Sequence, residues 1–538
     1  MKYNRIKAIA AASAALCTLA GAQSLSAQSA IDAYTLSSND LRGTARFMSM
    51  GGAFTALGGD LSTLTQNPGG IGIYRYSEIG ATLDIDLRSY KTSTPGYTLK
   101  DSQTKAFCNN FGYVGTVRLD GPLRTFNWGV SYGRLKSFDH ITKGYNIPTN
   151  TSLSNYVAAY SQNIDPADME FTDSYNPYFD SRLDWLSILS YSAYMINPVN
   201  GGNYVGLFQN GTTGDAEYVA RDHGYIDQYS FNFGGNIQDM VYWGIGVGVT
   251  DLDYRRDVYY SESMENALVP TKDGALVTGN AGFDLYNRKH ITGTGWDLKL
   301  GLIFKPVNEL RIGLAFHTPT WYNVTTTYDA EVDYSYFNPA DDQVEGNPLS
   351  GNEYTEVGAY DWKMRTPWRV LTGIAGVIGS DAILSFDYEY QAYDKMHVDE
   401  QTGYDEFSAM DAVNQDVRDY FKGSHIFRVG AEYRLTPQFS LRAGYNFKST
   451  NVKSEAADGN IQVFTAGTDP SYRFAKNSQG VSCGLGYHSG GWYVDAAYVY
   501  KLEKSTFHGY TDFDGLKAPT AKVSDHYSSI VISAGYKF

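Results

Sequence analysis

The stretch "IGATLDIDLRS", Ile79 to Ser89, alternates strictly between two kinds of residue. Its odd-numbered residues from Ile79 to Leu87 are apolar, and its even-numbered residues from Thr82 to Arg88 are polar or charged. Because successive side chains of a β-strand point to opposite sides, such a strand has one face suited to an apolar medium and the other to water.

Thirteen further segments repeat this alternation, many with aromatic residues on the apolar side. The fourteen segments lie near 79–91, 110–119, 125–138, 228–237, 241–260, 293–305, 309–327, 364–379, 382–396, 424–435, 438–450, 479–488, 491–503 and 526–538. Their connections alternate between tight turns, such as "KPVN" and "TPQ", and loops of about 18 to 89 residues. An even number of strands with short turns at one end and long loops at the other is typical of outer-membrane barrels.

The sequence therefore predicts an all-β fold, a 14-stranded antiparallel transmembrane β-barrel. Charged residues on strands that are otherwise apolar are expected to face a watery lumen, since Arg or Lys facing mid-bilayer lipid costs about 2–4 kcal/mol. The residues predicted to point inward are Asp387, Glu389, Arg428, Glu432 and Arg442.

Both ends of the chain indicate export to the outer membrane of a Gram-negative bacterium. Residues 1–27 have the basic start, apolar run and small residues of a signal peptide. The last segment, "SSIVISAGYKF", ends on an aromatic residue, which resembles the signal that the barrel assembly machinery recognises during biogenesis. Without the signal peptide the net charge is near −18, so nucleic-acid binding is not expected. Only Cys108 and Cys483 remain, and the sequence leaves open whether they pair.

Residues 28–77 lack strand alternation and are rich in glycine and apolar residues. A linker would be polar, so this segment is better suited to fill a cavity, and the barrel with its loops then occupies residues 78–538. Within residues 28–77, the sequence "TARFMSMGGAFTALGGDLSTLTQNPGGI" resembles the FadL/TodX family of channels for hydrophobic compounds. The resemblance extends to the number of strands and the C-terminal Phe.

The resemblance implies that residues 28–77 fold into the lumen as a hatch. Asn67 and Pro68 correspond to the Asn-Pro pair of the family, which packs toward an opening in the barrel wall. Gly69 and Gly70 follow where the family usually has Ala, and glycine adds backbone freedom there. A simple turn before the first strand is the alternative interpretation of "NPGG".

In the family the third strand opens the wall toward the membrane. Here the third strand has Gly129 and Gly133 on its lumen face, where missing side chains permit a bend or a close approach of the hatch. Glycine as ordinary lumen filler is the alternative.

The longest connection, predicted as an extracellular loop over 139–227, contains two segments with helical spacing. We expect these apolar helices to form an external groove for an apolar ligand or to pack on each other and on the barrel rim. The predicted groove residues are Trp185, Leu186, Ile188, Leu189, Tyr194 and Met195.

The resemblance and the predicted fold together suggest a monomeric channel for passive uptake of long-chain fatty acids or other apolar small molecules, embedded in outer-membrane lipids. No catalytic residue, metal or cofactor is expected, because the "GVSYG" motif around Ser131 lies within a strand and the nine His lack ligand spacing. A lipid-modifying barrel enzyme and an adhesive barrel acting through its loops are the alternatives.

Overall fold

The computed structural model describes residues 29–199, 202–271, 274–338, 349–379, 381–400, 409–513 and 515–538, and the predicted signal peptide lies outside these ranges. Fourteen antiparallel strands close into one barrel in which the first strand pairs with both the second and the last. The strands are β1 (Glu78–Thr94), β2 (Tyr97–Arg118), β3 (Leu123–Ser137), β4 (Thr213–Ile237), β5 (Val241–Pro270), β6 (Leu276–Val307), β7 (Leu310–His317 and Trp321–Phe337), β8 (Gly358–Arg365 and Arg369–Ile378), β9 (Ala382–Gln391), β10 (Ser424–Arg434), β11 (Phe439–Lys448), β12 (Tyr472–Ser489), β13 (Trp492–His508) and β14 (Thr520–Lys537). Each overlaps one predicted segment, so the predicted 14-stranded barrel is confirmed.

Shorter elements lie in the lumen and in the connections. The helices are α1 (Ala30–Ser37), α2 (Ala45–Ser49), α3 (Thr63–Gln66), α4 (Leu153–Tyr160), α5 (Trp185–Ser192), α6 (Ala409–Tyr420) and α7 (Ser454–Ala457), with 3₁₀ turns at Pro68–Ile73, Pro166–Met169, Pro177–Phe179 and Tyr393–Lys395. Additional strands are His140–Thr149 paired with β4, Leu349–Tyr354 paired with β7, His397–Glu400 paired with β8, and the hairpin Asn197–Val199 with Asn203–Val205. Among the described residues, no helix combines the length and the apolar character needed to cross a membrane.

The outward-facing residues of the lower barrel form a continuous apolar band. In β4 the band includes Tyr229, Phe231 and Phe233, all about half exposed. Aromatic pairs border it above and below: Trp296 stacks on Trp321 with ring centroids 4.5 Å apart at one border. A closed barrel with such a band and aromatic girdles is the form in which strands cross an outer membrane, because every backbone group is paired within the wall.

The strands continue well beyond this band, and there the apolar face changes side. In β4 the apolar residues Ala216, Tyr218 and Ala220 are buried inside the barrel, although the apolar residues lower in the same strand face outward. The same reversal occurs in β5, where Val247 is exposed and Val258 is buried. The barrel wall therefore changes from a membrane-facing surface to a water-facing surface within single strands.

These extensions shorten the connection predicted over 139–227, because residues 140–149 and 213–227 are strand rather than loop. The remaining residues fold into the upper end of the barrel. Helices α4 and α5 form where helical spacing predicted them, and they pack against the inner faces of the extended strands in one large apolar core. We call this upper part of the barrel, with its packed loop, the cap.

Val247 and Tyr259 point outward from the same strand, inside and above the apolar band respectively. We predict that Val247→Arg lowers the free energy of unfolding by about 2–4 kcal/mol, whereas Tyr259→Arg changes it by less than about 1 kcal/mol. Denaturant titration of the protein in phospholipid vesicles measures both values. Equal losses in the two variants would contradict the assignment of the membrane boundary.

Asp184 precedes α5 in the cap and accepts a hydrogen bond from Tyr160 Oη at 2.7 Å. Burial raises the pKa of the Asp184 carboxyl to about 6. Since the folded cap then binds a proton that the unfolded chain has already released, the contribution of Asp184 to its stability is greatest below pH 4 and is lost as the pH rises to about 6. Amide exchange of α5, corrected for the intrinsic pH dependence, will show a smaller fall over this range in Asp184→Asn than in the wild type.

Candidate functional site

Residues 43–74 lie inside the lower barrel, where polar side chains of the inner wall bind their irregular backbone. Asn109 of β2 donates to Gly43 O at 2.8 Å, and Asn127 of β3 donates to Ile71 O at 2.6 Å. On the opposite side, Asp387 of β9 accepts from Thr55 N at 2.7 Å. Two of these bonds satisfy backbone groups, Gly43 O and Thr55 N, that have no strand or helix partner, so the wall binds the segment as a filling of the lower lumen.

Two arginines attach this segment electrostatically to the wall. Arg42 contacts Asp84 at 3.2 Å and Asp86 at 3.0 Å, both on the inner face of β1. Arg46 contacts Glu432 of β10 at 2.8 Å. The five charged residues predicted to face inward all do so. Arg442 forms an ion pair with Glu432, Arg428 forms one with Glu389, and Asp387 accepts a hydrogen bond from Thr55 N.

The "NPGG" turn packs directly against the backbone of β5 and β6. Asn67 is fully buried, and its side chain donates to Thr55 O at 2.6 Å and accepts from Gly69 N at 3.0 Å. A Cβ on Gly69 would lie 2.8 Å from the carbonyl carbon of Gly301 in β6. A Cβ on Gly70 would lie 2.9 Å from Gly58 Cα.

Neither glycine of this turn has a positive φ. Glycine is therefore required at both positions because neighbouring backbone and side chains lie too close for a Cβ. The backbone conformational freedom expected from the sequence is not the reason for glycine here. The wall is matched to the turn, because Gly244 and Gly301 leave the space that Asn67 and Pro68 occupy.

The first helix, α1, lies higher in the lumen, away from the rest of the segment. Its residues Ala33 and Leu36 pack in an apolar cluster with strands β4 to β8, and Tyr34 stacks on Phe421 at the end of α6 with ring centroids 4.8 Å apart. Asp32 forms an ion pair with Lys289 of β6 at 3.0 Å. Helix α1 thus reaches the elements that close the extracellular side.

A cavity of about 2880 Å³, including space open to solvent, separates α1 from the filling below it. Its lining contains twelve Lys and Arg but nine Asp and Glu, so cations are in excess. Lys448 has no acidic partner within ion-pair distance among the described residues and lies beside the Tyr393 ring at 5.6 Å. Apolar side chains such as Leu41, Leu135 and Ile426 are interspersed with these charges. The cavity therefore offers both charged and apolar contacts.

The wall beside this cavity is split between β2 and β3. The two strands pair only from Asn110 with Gly133 down to Arg118 with Thr125. Above that point, residues 97–109 pair only with β1, and residues 140–149 pair only with β4. Within the described residues, no backbone hydrogen bond joins 97–109 to 134–149. An irregularity at Asn109 marks the point of separation, because the register of β2 against β1 shifts there.

The lower end of the split lies at the depth of the apolar band. The β2 residues that border the split include 104, 106 and 108, which pair with Leu87, Ile85 and Leu83 of β1. The side chains of these three β1 residues are exposed on the outer surface. An unpaired strand edge at membrane depth is tolerated where it is buried in protein or lines a water-filled cavity. On the β3 side of the split, residues 135–140 line the charged cavity and meet this condition.

Every contact across the split that the described residues show involves at least one side chain. Asp139, at the start of the His140–Thr149 strand, forms an ion pair with Lys105 of β2, and its carbonyl oxygen accepts from Tyr90 Oη at 3.0 Å. Phe107 lies between two guanidinium groups, with Arg42 Cζ 4.6 Å and Arg134 Cζ 5.2 Å from its ring centroid. Such contacts can open without breaking any strand ladder.

The predicted site residues fall into separate places. Gly133 is the last paired residue of β3 before the split, and Gly129 lies four residues lower against Ile71. Leu186, Ile188, Leu189 and Met195 are buried in the cap core, Trp185 is partly buried, and only Tyr194 is well exposed. The cavity contains none of these six, so their role as a ligand groove stays a prediction.

Sequence reasoning missed Asn109, Asn127 and Asp139. The first two are amides at inward positions of apolar strands, a signal that could have marked contacts with irregular backbone. Asp139 lay in the predicted loop, and only the strand pairing reveals its position. Cys108 and Cys483 are both free thiols. Among the described residues, no three His, Cys, Asp or Glu side chains are grouped as metal ligands.

The chain matches no protein-family model and no curated protein. Among solved structures it is similar to the toluene transporter TodX of P. putida, with 13% identity, 93% of this chain and 99% of that chain covered, and a TM-score of 0.46. It is similar to a FadL homologue of Pseudomonas aeruginosa at 12% identity, with 93% and 99% covered and a TM-score of 0.48. It is also similar to the toluene transporter TbuX of Ralstonia pickettii at 14% identity, with 93% and 99% covered and a TM-score of 0.41.

The contact between the turn and the wall can be tested with wall glycines. We predict that Gly244→Ala, whose Cβ would clash with Pro68 O, lowers the free energy of unfolding by about 1–3 kcal/mol and raises ion conductance in planar bilayers. Gly376→Ala is the control, because a Cβ there meets no atom within 4 Å. Wild-type conductance and stability in Gly244→Ala would mean that the turn is not fixed against the wall.

Proposed function

We propose that this protein is an outer-membrane channel for the passive uptake of long-chain fatty acids or other hydrophobic small molecules. The observation that carries the proposal is the split between β2 and β3, which places the lumen cavity next to lipid-facing residues. A solute exchanged through this split would pass between the cavity and the membrane without crossing the barrel along its axis. The filling of the lower lumen and the packed cap both favour such a lateral path.

The lining of the cavity suits an amphipathic molecule with an ionised carboxylate. The excess cations would hold the carboxylate, and the interspersed apolar side chains would contact the alkyl chain. Burial of an alkyl chain contributes about 0.8 kcal/mol per methylene, so a fully covered sixteen-carbon chain would gain about 10 kcal/mol and leave slowly. A change in the shape of the cavity is therefore part of the proposal.

We propose that residues 28–77 act as a hatch that makes this change. Arg42 is the link, because it contacts Asp84 and Asp86 of the wall and also lies over Phe107 at the split. A shift of residues 40–48 would alter the cavity and the split together. The turn at Asn67 and Pro68 would then serve as the fixed end of the moving segment.

Closing the split should abolish transport. In a background with Cys108→Ser and Cys483→Ser, we predict that the pair Lys105→Cys and Asp139→Cys, once oxidised, reduces uptake of labelled palmitate at least tenfold, and that a reductant restores it. The control is Val117→Cys with Phe126→Cys, which joins β2 and β3 where they are already paired. Uptake that survives a complete cross-link at 105 and 139 would reject the lateral path, and uptake equal to that of cells without the protein would reject the channel.

The hatch has its own test. We predict that Asn67→Ala, which removes the bonds to Thr55 O and Gly69 N, changes the rate of palmitate uptake several-fold while the barrel still folds. Asn460→Ala is the control, because its side chain is exposed in a loop. If Asn67→Ala and Asn460→Ala both transport like the wild type, the channel stands but the hatch does not.

A further inference from the structure

Four large apolar side chains project from the outer surface of the cap. Phe171 is 52% exposed, Phe179 78%, Tyr354 72% and Val357 71%. We call this group the cap patch. It belongs to two segments that meet, because Asn176 Nδ2 donates to Glu356 Oε1 at 3.0 Å. Exposed apolar side chains that are grouped, rather than scattered singly, mark interaction sites.

The cap patch stands on rigid supports. Phe171 packs on the buried Tyr178, whose ring lies 5.0 Å from that of Trp185 in the cap core. Tyr175 Oη lies within hydrogen-bond distance of two acceptors, Asp168 O at 3.0 Å and Asp180 Oδ2 at 3.2 Å. Thr355, between the other two members of the patch, exchanges hydrogen bonds with Ala330 of β7 at 2.9 Å. Binding would therefore not require these side chains to become ordered, which favours affinity.

The surroundings of the cap patch are strongly acidic. The segments 161–184 and 349–359 contain eight Asp and Glu but only one basic residue. That residue, Arg182, is already bonded to Asp180 at 3.0 Å. Below the patch, the outer face of β7 carries Glu331 and Asp333, as well as Asp329, which is paired with Arg288 of β6. A partner must therefore bring positive charge.

We infer that the cap patch is a docking surface for a protein or peptide that presents an apolar recess or apolar side chains surrounded by Lys and Arg. Side chains more than 70% exposed project outward, so the partner supplies the concave side of the contact. A protein fits this arrangement better than a small apolar solute, which would need a pocket on this chain. Complementary charge around an apolar centre is the usual form of such interfaces.

The test uses random twelve-residue peptides displayed on phage and selected against the full-length protein in nanodiscs. We expect the enriched peptides to combine Lys or Arg with aromatic or branched apolar residues, and their affinity to fall at least tenfold in Phe179→Ser and in Glu353→Gln with Glu356→Gln. Tyr97→Ser is the matched control, because Tyr97 is 46% exposed at the tip of the β1–β2 hairpin and far along the chain from the patch. Phe179 is too exposed for its replacement to impair folding, which heat-modified mobility on gels will verify.

Two results would overturn the inference. Enriched peptides that bind Phe179→Ser as tightly as wild type would place their site elsewhere. Loss of labelled palmitate binding in Phe179→Ser, with peptide binding unchanged, would make the cap patch a solute-capture surface instead.

Discussion

A strand wall in lipid must pair every backbone amide and carbonyl, since each unpaired group costs several kcal/mol in hydrocarbon. Thirteen of the fourteen neighbouring strand pairs run as ladders through the apolar band with only local irregularities, and the pair β2–β3 does so only up to Asn110 and Gly133. This incomplete pairing of β2 with β3 determines what lies beside it in the lumen. A cavity lined by charged side chains lies behind the split, and Arg42 of the N-terminal segment reaches it from below.

The N-terminal segment is shaped by the wall as much as by its own sequence. Its irregular backbone is bound by Asn109, Asn127 and Asp387, and its Asn-Pro-Gly-Gly turn fits only because Gly244 and Gly301 lack side chains. Polar and small inward residues, spread over many strands, thus specify one arrangement of a segment that contains little regular structure.

Period-two alternation was enough to predict all fourteen strands, because lipid outside and water inside impose a strong and simple pattern. It did not predict how far the strands continue. In β4 the apolar residues lie at odd positions within the membrane, as at Tyr229, and at even positions above it, as at Tyr218. Because of this change, the sequence pattern of one continuous strand looks like a strand next to a loop. The reversal is visible in the sequence once both phases are considered. The split and the position of Asp139 depend on pairing between distant residues, which no local pattern contains.

The most direct test of this account is amide hydrogen exchange at single-residue resolution on β2 in a lipid bilayer. If the split is open to water, alternate amides between residues 104 and 108 will exchange within minutes, while their neighbours bonded to β1 and the amides of residues 111–117 stay protected. Uniform protection from 104 to 117 would mean that β2 and β3 are paired along their whole length, and the lateral path would have no basis.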